Sequence, residues 1–144
     1  MLFDVNFAYN LILNQYYYVN HVHEVLNPVT NLMEADYYTN TFDVVYEPTT
    51  NHMAVGAGLL IDYVKGLDLS LNAQYNMWAV ETVPYAWHKP AFEVGFKGTY
   101  HFLEKWQVGA SYTFLAGRMA WVQDDPVAMN DLHDVNVWAS YKAL

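Results

Sequence analysis

Apolar and polar residues alternate along most of this chain with a period of two. The segment "LDLSLNAQYNMW" (67–78) shows the pattern most cleanly. Successive side chains of a strand point to opposite sides of a sheet, so the pattern predicts a strand with one apolar and one polar face. Similar alternation recurs at 3–9, 53–63, 92–102, 106–116 and 135–143, and less cleanly at 15–23 and 37–47. The chain is therefore predicted to be all-β, an antiparallel up-and-down meander of about eight strands in one segment spanning 1–144.

The apolar positions also predict the register of two hairpins. Antiparallel partners must place their apolar side chains on the same face of the sheet. A three-residue loop that ends at Gly66, in the left-handed conformation, predicts Leu59 opposite Leu71. An equally short loop at "LEK" predicts Phe96 opposite Tyr112.

The connections between the predicted strands alternate in length. The two short turns would lie at one end of the sheet, and longer loops at about 80–90 and 117–131 would lie at the other. This alternation is typical of outer-membrane barrels, which have short periplasmic turns and long extracellular loops. The segment "EPTTN" (47–51) is interpreted as a further, shorter connection at the long-loop end, and residues 24–36 could contain one helical turn.

The orientation of the apolar face decides the class of protein. A soluble sheet buries this face in a core, whereas an outer-membrane barrel turns it towards lipid and keeps the polar face inside. The alternating runs of about 11 residues favour a membrane, because spanning strands need about 9–11 residues and ordinary strands have about 5–6. Aromatic residues also cluster near the predicted strand ends, as at membrane interfaces.

The membrane interpretation assigns each face a role. The predicted lipid-facing residues are Leu59, Ile61, Leu69, Leu71, Tyr75, Phe96, Val108 and Tyr112. The predicted lumen-facing residues are Asp62, Asp68, Ser70, Asn72, Gln74, Asn76, Glu93, Lys97 and Thr99. The predicted loop or interface anchors are Trp78, Trp87, His88 and Trp121.

Composition and charge exclude several functions. The net charge of −9, with only 6 Lys and Arg, argues against nucleic-acid binding. Cysteine is absent, so the chain has no disulfide framework and no cysteine-based site. The hydrophobic share of 54% and aromatic share of 17% suit either a barrel wall or an aromatic-rich soluble domain. The longest apolar run, "AVGAGLLI" (54–61), is far too short for a membrane-spanning helix.

No sequence motif points to catalysis, and no cofactor is expected. His21 and His23 share one face of a strand and could hold a metal, but such a site usually has three or four ligands. Asp124 and Asp125 could help to chelate Ca²⁺ in an outer loop. A solvated acidic turn before Pro126 is the simpler interpretation of that pair.

Several segments resemble the C-terminal barrel region of TonB-dependent receptors of Gram-negative bacteria. The matching pieces are "FDVVYE" (42–47), "LNAQYN" (71–76), "AWHKPAF" (86–92), the strand–"LEKW"–strand hairpin (93–116), "GR" (117–118) and "DVNVWASYK" (134–142). The resemblance covers roughly residues 40–144, and "AWHKPAF" is its most distinctive part. Residues 1–39 match only loosely.

The resemblance implies a location and a function. Such receptors are large plugged barrels of the outer membrane that import siderophore-bound iron, cobalamin or glycans with energy passed on by TonB. The expected partners are the lipid bilayer, the rest of the barrel, the plug domain and, through a missing N-terminal part, TonB. The plug, the TonB box and the family's closing strands have no counterpart here, so the chain is interpreted as a fragment. Two alternatives remain, a small autonomous barrel with a structural or adhesive role and a soluble lipocalin-like carrier.

Overall fold

The computed structural model describes residues 1–20, 23–36, 42–122 and 125–142. Within these ranges the chain is all-β and contains no helix, as the alternation predicts. The strands are β1 (Leu2–Asn20), β2 (His23–Leu26), β3 (Met33–Asp36), β4 (Phe42–Ile61), β5 (Leu67–Val80), β6 (Phe92–Phe102), β7 (Trp106–Ala116), β8 (Met119–Val122), β9 (Asp125–Ala128) and β10 (Leu132–Tyr141).

Eight of these strands form one sheet in the order β10-β7-β6-β5-β4-β1-β8-β9. The long strands are antiparallel, and the run from β4 to β7 follows chain order as the predicted meander does. The β8–β9 hairpin departs from this chain order. The chain crosses from β7 to the far edge of the sheet, where β8 meets β1 through one parallel pair, Asn20 with Val122. The ends of this order do not pair with each other among the described residues, so the sheet is open.

The predicted registers of both hairpins are confirmed. Leu59 pairs with Leu71, and Phe96 pairs with Tyr112. Gly66 has the predicted left-handed conformation, with a φ of 79°. These registers were readable from sequence because a slip of one residue would place every apolar side chain of a strand on the opposite face.

The prediction of a connection at 47–51 is wrong, since these residues lie inside the continuous strand β4. Residues 47 and 49–51 pair with β1. Strand β1 is itself one continuous strand where the sequence predicts two, at 3–9 and 15–23. The prediction failed because the buried side chains of β1 change from one face to the other at Asn14. This residue has a φ of 57° and lies opposite Pro48, where the two strands form no pair. Before this bend Leu13 is exposed, whereas beyond it the odd-numbered Tyr17 is buried. Proline has no N–H to donate, so the ribbon bends there without ending.

The expectation of a helical turn within 24–36 is also wrong, because this segment forms the separate β2–β3 hairpin. Its turn is organised by Asn27, whose side-chain oxygen accepts hydrogen bonds from the backbone N–H of Val29 (2.8 Å) and of Thr30 (3.3 Å). An Asn side chain that bonds to the backbone two residues on offers the chain a turn in place of a helix.

The buried apolar cluster lies at the long-loop end of the sheet. It contains Tyr17 and Val19 of β1 together with Val83, Ala86 and Trp87 of the connection between β5 and β6. Beyond Val80 the paired strands β1 and β4 project past β5, and these loop residues cover one face of the projecting ribbon. We call this assembly the loop cap.

Candidate functional site

The apolar face of the sheet is exposed along the long strands. Phe3, Val5 and Phe7 of β1 are 63%, 67% and 66% exposed, and Leu71 and Tyr75 of β5 are 44% and 53% exposed. A contiguous exposed apolar surface of this kind marks contact with another apolar phase or partner.

All eight predicted lipid-facing residues lie on this face. Leu59, Leu71, Phe96 and Tyr112 form one directly paired row across β4 to β7. The other four take the same face by the two-residue period of their strands. Four of the eight are exposed and four are half-buried. The exposed residues are Leu71, Tyr75, Phe96 and Val108, and the half-buried ones are Leu59, Ile61, Leu69 and Tyr112.

The polar face contains the more deeply buried side chains of β5 and β6. Asn76 is 2% exposed and Thr99 is 7% exposed. All nine predicted lumen-facing residues occur on this face or at its β4–β5 end: Asp62, Asp68, Asn72 and Lys97 are exposed, and Ser70, Gln74 and Glu93 are half-buried. In a soluble domain the apolar side chains would occupy the buried positions. Here the two buried side chains of β5 and β6 are polar, while residues 2–11 of β1 are exposed on both faces.

Glycines make room for side chains that lie across the polar face. A Cβ at Gly95 would lie 2.5 Å from Oδ1 of Asn72, and a Cβ at Gly109 would lie 2.3 Å from the ring of Trp138. In each case the side chain belongs to the residue directly opposite on the neighbouring strand. Gly56 and Gly58 accommodate β1 side chains in the same way. Sequence analysis noted these small residues but did not pair them with their neighbours.

A hydrogen-bonded network crosses four strands of the polar face. The Asn76 side-chain amide donates to Oε1 of Glu93 at 2.7 Å. The Asn76 side-chain oxygen accepts a bond from Gln74 at 2.7 Å and lies 2.9 Å from Nε2 of His52. The Nδ1 of His52 lies 3.2 Å from the side-chain amide of Asn10. A neutral imidazole with its proton on Nε2 satisfies both contacts, since it accepts from Asn10 and donates to Asn76.

Sequence analysis missed His52 and Asn10 as members of this network. His52 occupies a polar-face position of the alternation, which is the signal that could have identified it. Its ring also stacks on Trp78, with ring centroids 3.9 Å apart. The Trp78 Nε1–H donates to the carbonyl of Pro90 at 3.0 Å, so this predicted anchor joins the network to the loop cap.

The other predicted anchors lie in the loop cap. Trp87 is 2% exposed, and its ring centroid lies 5.5 Å from that of Trp121. His88 has a φ of 64°, and its backbone N–H donates to the carbonyl of Met119 at 2.8 Å. Its Nε2 lies 3.4 Å from the carbonyl oxygen of Tyr18. The structure therefore brings Trp87, His88 and Trp121 together beside β1. The prediction of a long loop at 117–131 is wrong, because this segment contains β8 and β9 and Trp121 lies in β8.

Glu47 fixes the first long loop to the projecting ribbon. Its fully buried carboxylate accepts hydrogen bonds from the backbone N–H groups of Glu81 (2.9 Å), Thr82 (2.9 Å) and Val83 (3.1 Å). The Thr82 hydroxyl donates a fourth bond at 2.7 Å. The residue lies beyond the Asn14 bend and beyond Thr50, the last residue of β4 that pairs with β5, at the long-loop end of the sheet.

These bonds determine the ionisation of the buried carboxylate. Burial alone raises the pKa of Glu47, but donation by the Thr82 hydroxyl and by the three backbone N–H groups outweighs it and lowers the pKa to about 2. Sequence analysis placed Glu47 in a connection and missed this role, because its partners lie more than thirty residues away in sequence.

The described part of the chain contains no metal site, and most of the predicted metal candidates lie outside it. Among the residues that the structure describes, no group of three or more His, Asp or Glu side chains could hold a metal ion. His21, the His23 side chain and Asp124 lie outside the described residues. Asp125 begins β9, where it is exposed and pairs with Val122.

Comparisons with protein-family models, with curated proteins and with solved structures found no match to this chain. In the described ranges, no helix is long and apolar enough to cross a membrane.

Proposed function

We propose that this chain forms part of the wall of an outer-membrane β-barrel transporter of the TonB-dependent-receptor type. The observation that carries the proposal is an apolar face left exposed on a sheet whose buried β5 and β6 side chains are polar. Large apolar side chains such as Phe7 and Tyr75 are exposed, while Asn76 and Thr99 are buried on the opposite face. This distribution suits a wall with lipid on one side and a polar lumen on the other.

The strand lengths support the same function. Strands β6 and β7 have 11 residues each. At about 3.3 Å per residue, such a strand is about 36 Å long, and a tilt of about 45° reduces its height across the membrane to about 25 Å. That height matches the apolar band of an outer-membrane barrel.

The open sheet supports a wall segment over a closed small barrel. The outer edge of β10 and most of the outer edge of β1 have unpaired backbone groups among the described residues. Unpaired backbone groups are not tolerated in lipid, so a membrane-embedded sheet needs further strands at both edges. In the proposed function those strands belong to the rest of the transporter barrel.

The resemblance over roughly residues 40–144 supplies the class of transported ligand. The barrel would enclose a plug domain, receive energy from TonB, and import siderophore-bound iron, cobalamin or a glycan across the outer membrane. This chain would contribute its polar face to the lumen and its loop cap to the outer surface, where ligand is captured. No residue described above would carry out chemistry on that ligand.

The test uses single cysteines in a chain that has none. Leu71→Cys and Asn72→Cys form a matched pair, because they are adjacent, both exposed, and on opposite faces of β5. Each variant is expressed together with the further strands of the proposed barrel, so that both sheet edges are paired, and is then refolded into phosphatidylcholine vesicles and labelled with a fluorophore. A lipid-borne quencher should quench the label at 71 strongly, and a water-soluble quencher should quench the label at 72.

Two results would contradict the proposal. The water-soluble quencher could reach both labels equally, which would place neither face in lipid. Alternatively, the chain could be a detergent-free soluble monomer with a cooperative melting transition, which would favour the lipocalin-like carrier.

A further inference from the structure

A cavity of about 750 Å³ opens at the short-turn end of the sheet. We call it the short-turn pocket, and its lining includes Lys65, Lys105, Lys142, Tyr100, Phe102 and Trp106. It lies between the β4–β5 turn, the β6–β7 turn and the end of β10, at the end of the sheet opposite the loop cap.

Backbone hydrogen bonds hold these three chain segments together. The His101 N–H donates to the carbonyl of Gly66 at 2.7 Å, which joins the β4–β5 turn to β6. The Lys142 N–H donates to the carbonyl of Lys105 at 2.9 Å, which joins the end of β10 to the β6–β7 turn. The three lysines therefore project from neighbouring, connected positions.

The pocket concentrates positive charge in an acidic chain. Three of the 6 Lys and Arg residues line it, but only Glu104 of the 15 Asp and Glu residues does so among the described residues. Lys65, Lys105 and Lys142 are exposed, and no ion pair within the described ranges neutralises them. The pair of His101 with Asp68, at 3.2 Å, involves none of the three ammonium groups.

Aromatic rings line the boundary between this charge and the apolar face. The ring centroids of Tyr100 and Phe102 lie 5.9 Å apart, those of Phe102 and Trp106 lie 6.2 Å apart, and those of Trp106 and Tyr141 lie 4.9 Å apart. Trp106 is 43% exposed. Aromatic rings with an apolar body and a polar tip favour the level of lipid headgroups. The lysines lie just past these rings, where the phosphates of a bilayer would begin.

We propose that the short-turn pocket binds the phosphate groups of anionic lipids. The assignment rests on the proposed function, because it needs the apolar face to lie in a bilayer. Each ammonium group supplies three hydrogen-bond donors and a point charge to a phosphate oxygen. The acidic remainder of the chain would repel such lipids, so the three lysines orient the wall with its short-turn end towards an anionic leaflet.

The test labels the pocket and measures which lipid is nearest. Leu103, in the β6–β7 turn, lines the pocket and is exposed, so Leu103→Cys accepts a fluorophore. The labelled chain, again expressed with the further strands of the proposed barrel, is refolded into phosphatidylcholine vesicles that contain a minority of phosphatidylglycerol. Quenching by headgroup-labelled phosphatidylglycerol is compared with quenching by headgroup-labelled phosphatidylcholine. The ratio should favour the anionic lipid and should fall at high salt.

The variants separate the lysines from general charge. Lys105→Gln should lower the preference for phosphatidylglycerol about fivefold, and K65Q/K105Q/K142Q should abolish it. Lys89→Gln removes the same charge in the segment next to the loop cap and should leave the preference unchanged.

Each alternative result overturns a different statement. Insertion with an equal ratio in the wild type and the triple variant would overturn the pocket assignment and leave the proposed function standing. Failure of the assembled barrel to insert, with or without phosphatidylglycerol in the vesicles, would overturn the proposed function itself. Loss of the preference on addition of soluble glycerol phosphate at low concentration would assign the pocket to a free phosphate and overturn the lipid assignment.

Discussion

Replacing Glu47 by Gln should open the loop cap. The change is nearly isosteric, but it removes the charge and turns one acceptor oxygen into an NH₂ donor. The carboxylate oxygens accept four bonds of 3.1 Å or less from residues 81–83. If the amide oxygen takes the position with three donors, the new NH₂ group faces the N–H of Glu81, and two donors then confront each other inside the protein.

The magnitude follows from the ionisation of the wild-type carboxyl. Its pKa is lowered from 4.5 to about 2. At about 1.4 kcal/mol per pKa unit, the charged form is stabilised in the closed cap by about 3 kcal/mol relative to an open, solvated state. This is consistent with the cost of removing one partner from a set of charge-assisted hydrogen bonds.

The pH dependence has a definite sign. Because the pKa is lower in the closed cap than in the open state, the stabilisation is fully present above about pH 4.5. It is lost progressively as the pH falls through this window to about 2. Wild-type closure should therefore weaken with acid, whereas closure in the Glu47→Gln variant should not change over that interval through this group.

Hydrogen exchange of residues 81–83, read by mass spectrometry in detergent micelles, measures cap opening directly. Protection in Glu47→Gln should fall about 100-fold, because about 3 kcal/mol corresponds to a factor of that order. Trp87, 2% exposed in the closed cap, should become accessible to acrylamide. Glu81→Gln is the matched control, since it keeps the backbone N–H and changes an exposed side chain. Equal protection in the two variants would refute the role assigned to Glu47.

Two further substitutions test the packing of the sheet. Gly109→Ala should displace Trp138 and destabilise the protein by about 1–3 kcal/mol, because its Cβ would lie 2.3 Å from the ring and 2.9 Å from the Gly98 carbonyl oxygen. Gly98→Ala meets only flexible side chains, the nearest at 3.1 Å, and should lower the denaturation midpoint less; an equal loss would contradict the assigned crowding. Gly66→Ala should cost about 1–3 kcal/mol, because its φ is 79° and a Cβ would lie 2.6 Å from the His101 carbonyl oxygen. Lys65→Ala, in the same turn, is its control in the same denaturation assay, and an unchanged midpoint in Gly66→Ala would refute the strain argument.

The two-residue alternation was sufficient to predict β5, β6 and β7 and the face of each of their side chains. The strands β5, β6 and β7 begin and end close to their predicted positions, and their registers follow from the sequence. This succeeds because the information is local. Each strand repeats one face every two residues, and a short turn transmits that face to the next strand.

Other features depended on contacts between residues far apart in sequence. The sequence could not show that β1 and β4 continue through the Asn14 bend, because the change of face reads locally as the end of one strand and the start of another. It also could not show that Glu47, predicted to lie in a loop, would be buried under residues 81–83.

Two further features also depended on contacts between distant residues. The β8–β9 hairpin lies at the far edge of the sheet, and the polar network joins side chains from four strands. Periodicity determined which side chains share a face. Only the tertiary structure determined what covers each face, because covering a face requires segments that are distant along the chain to meet.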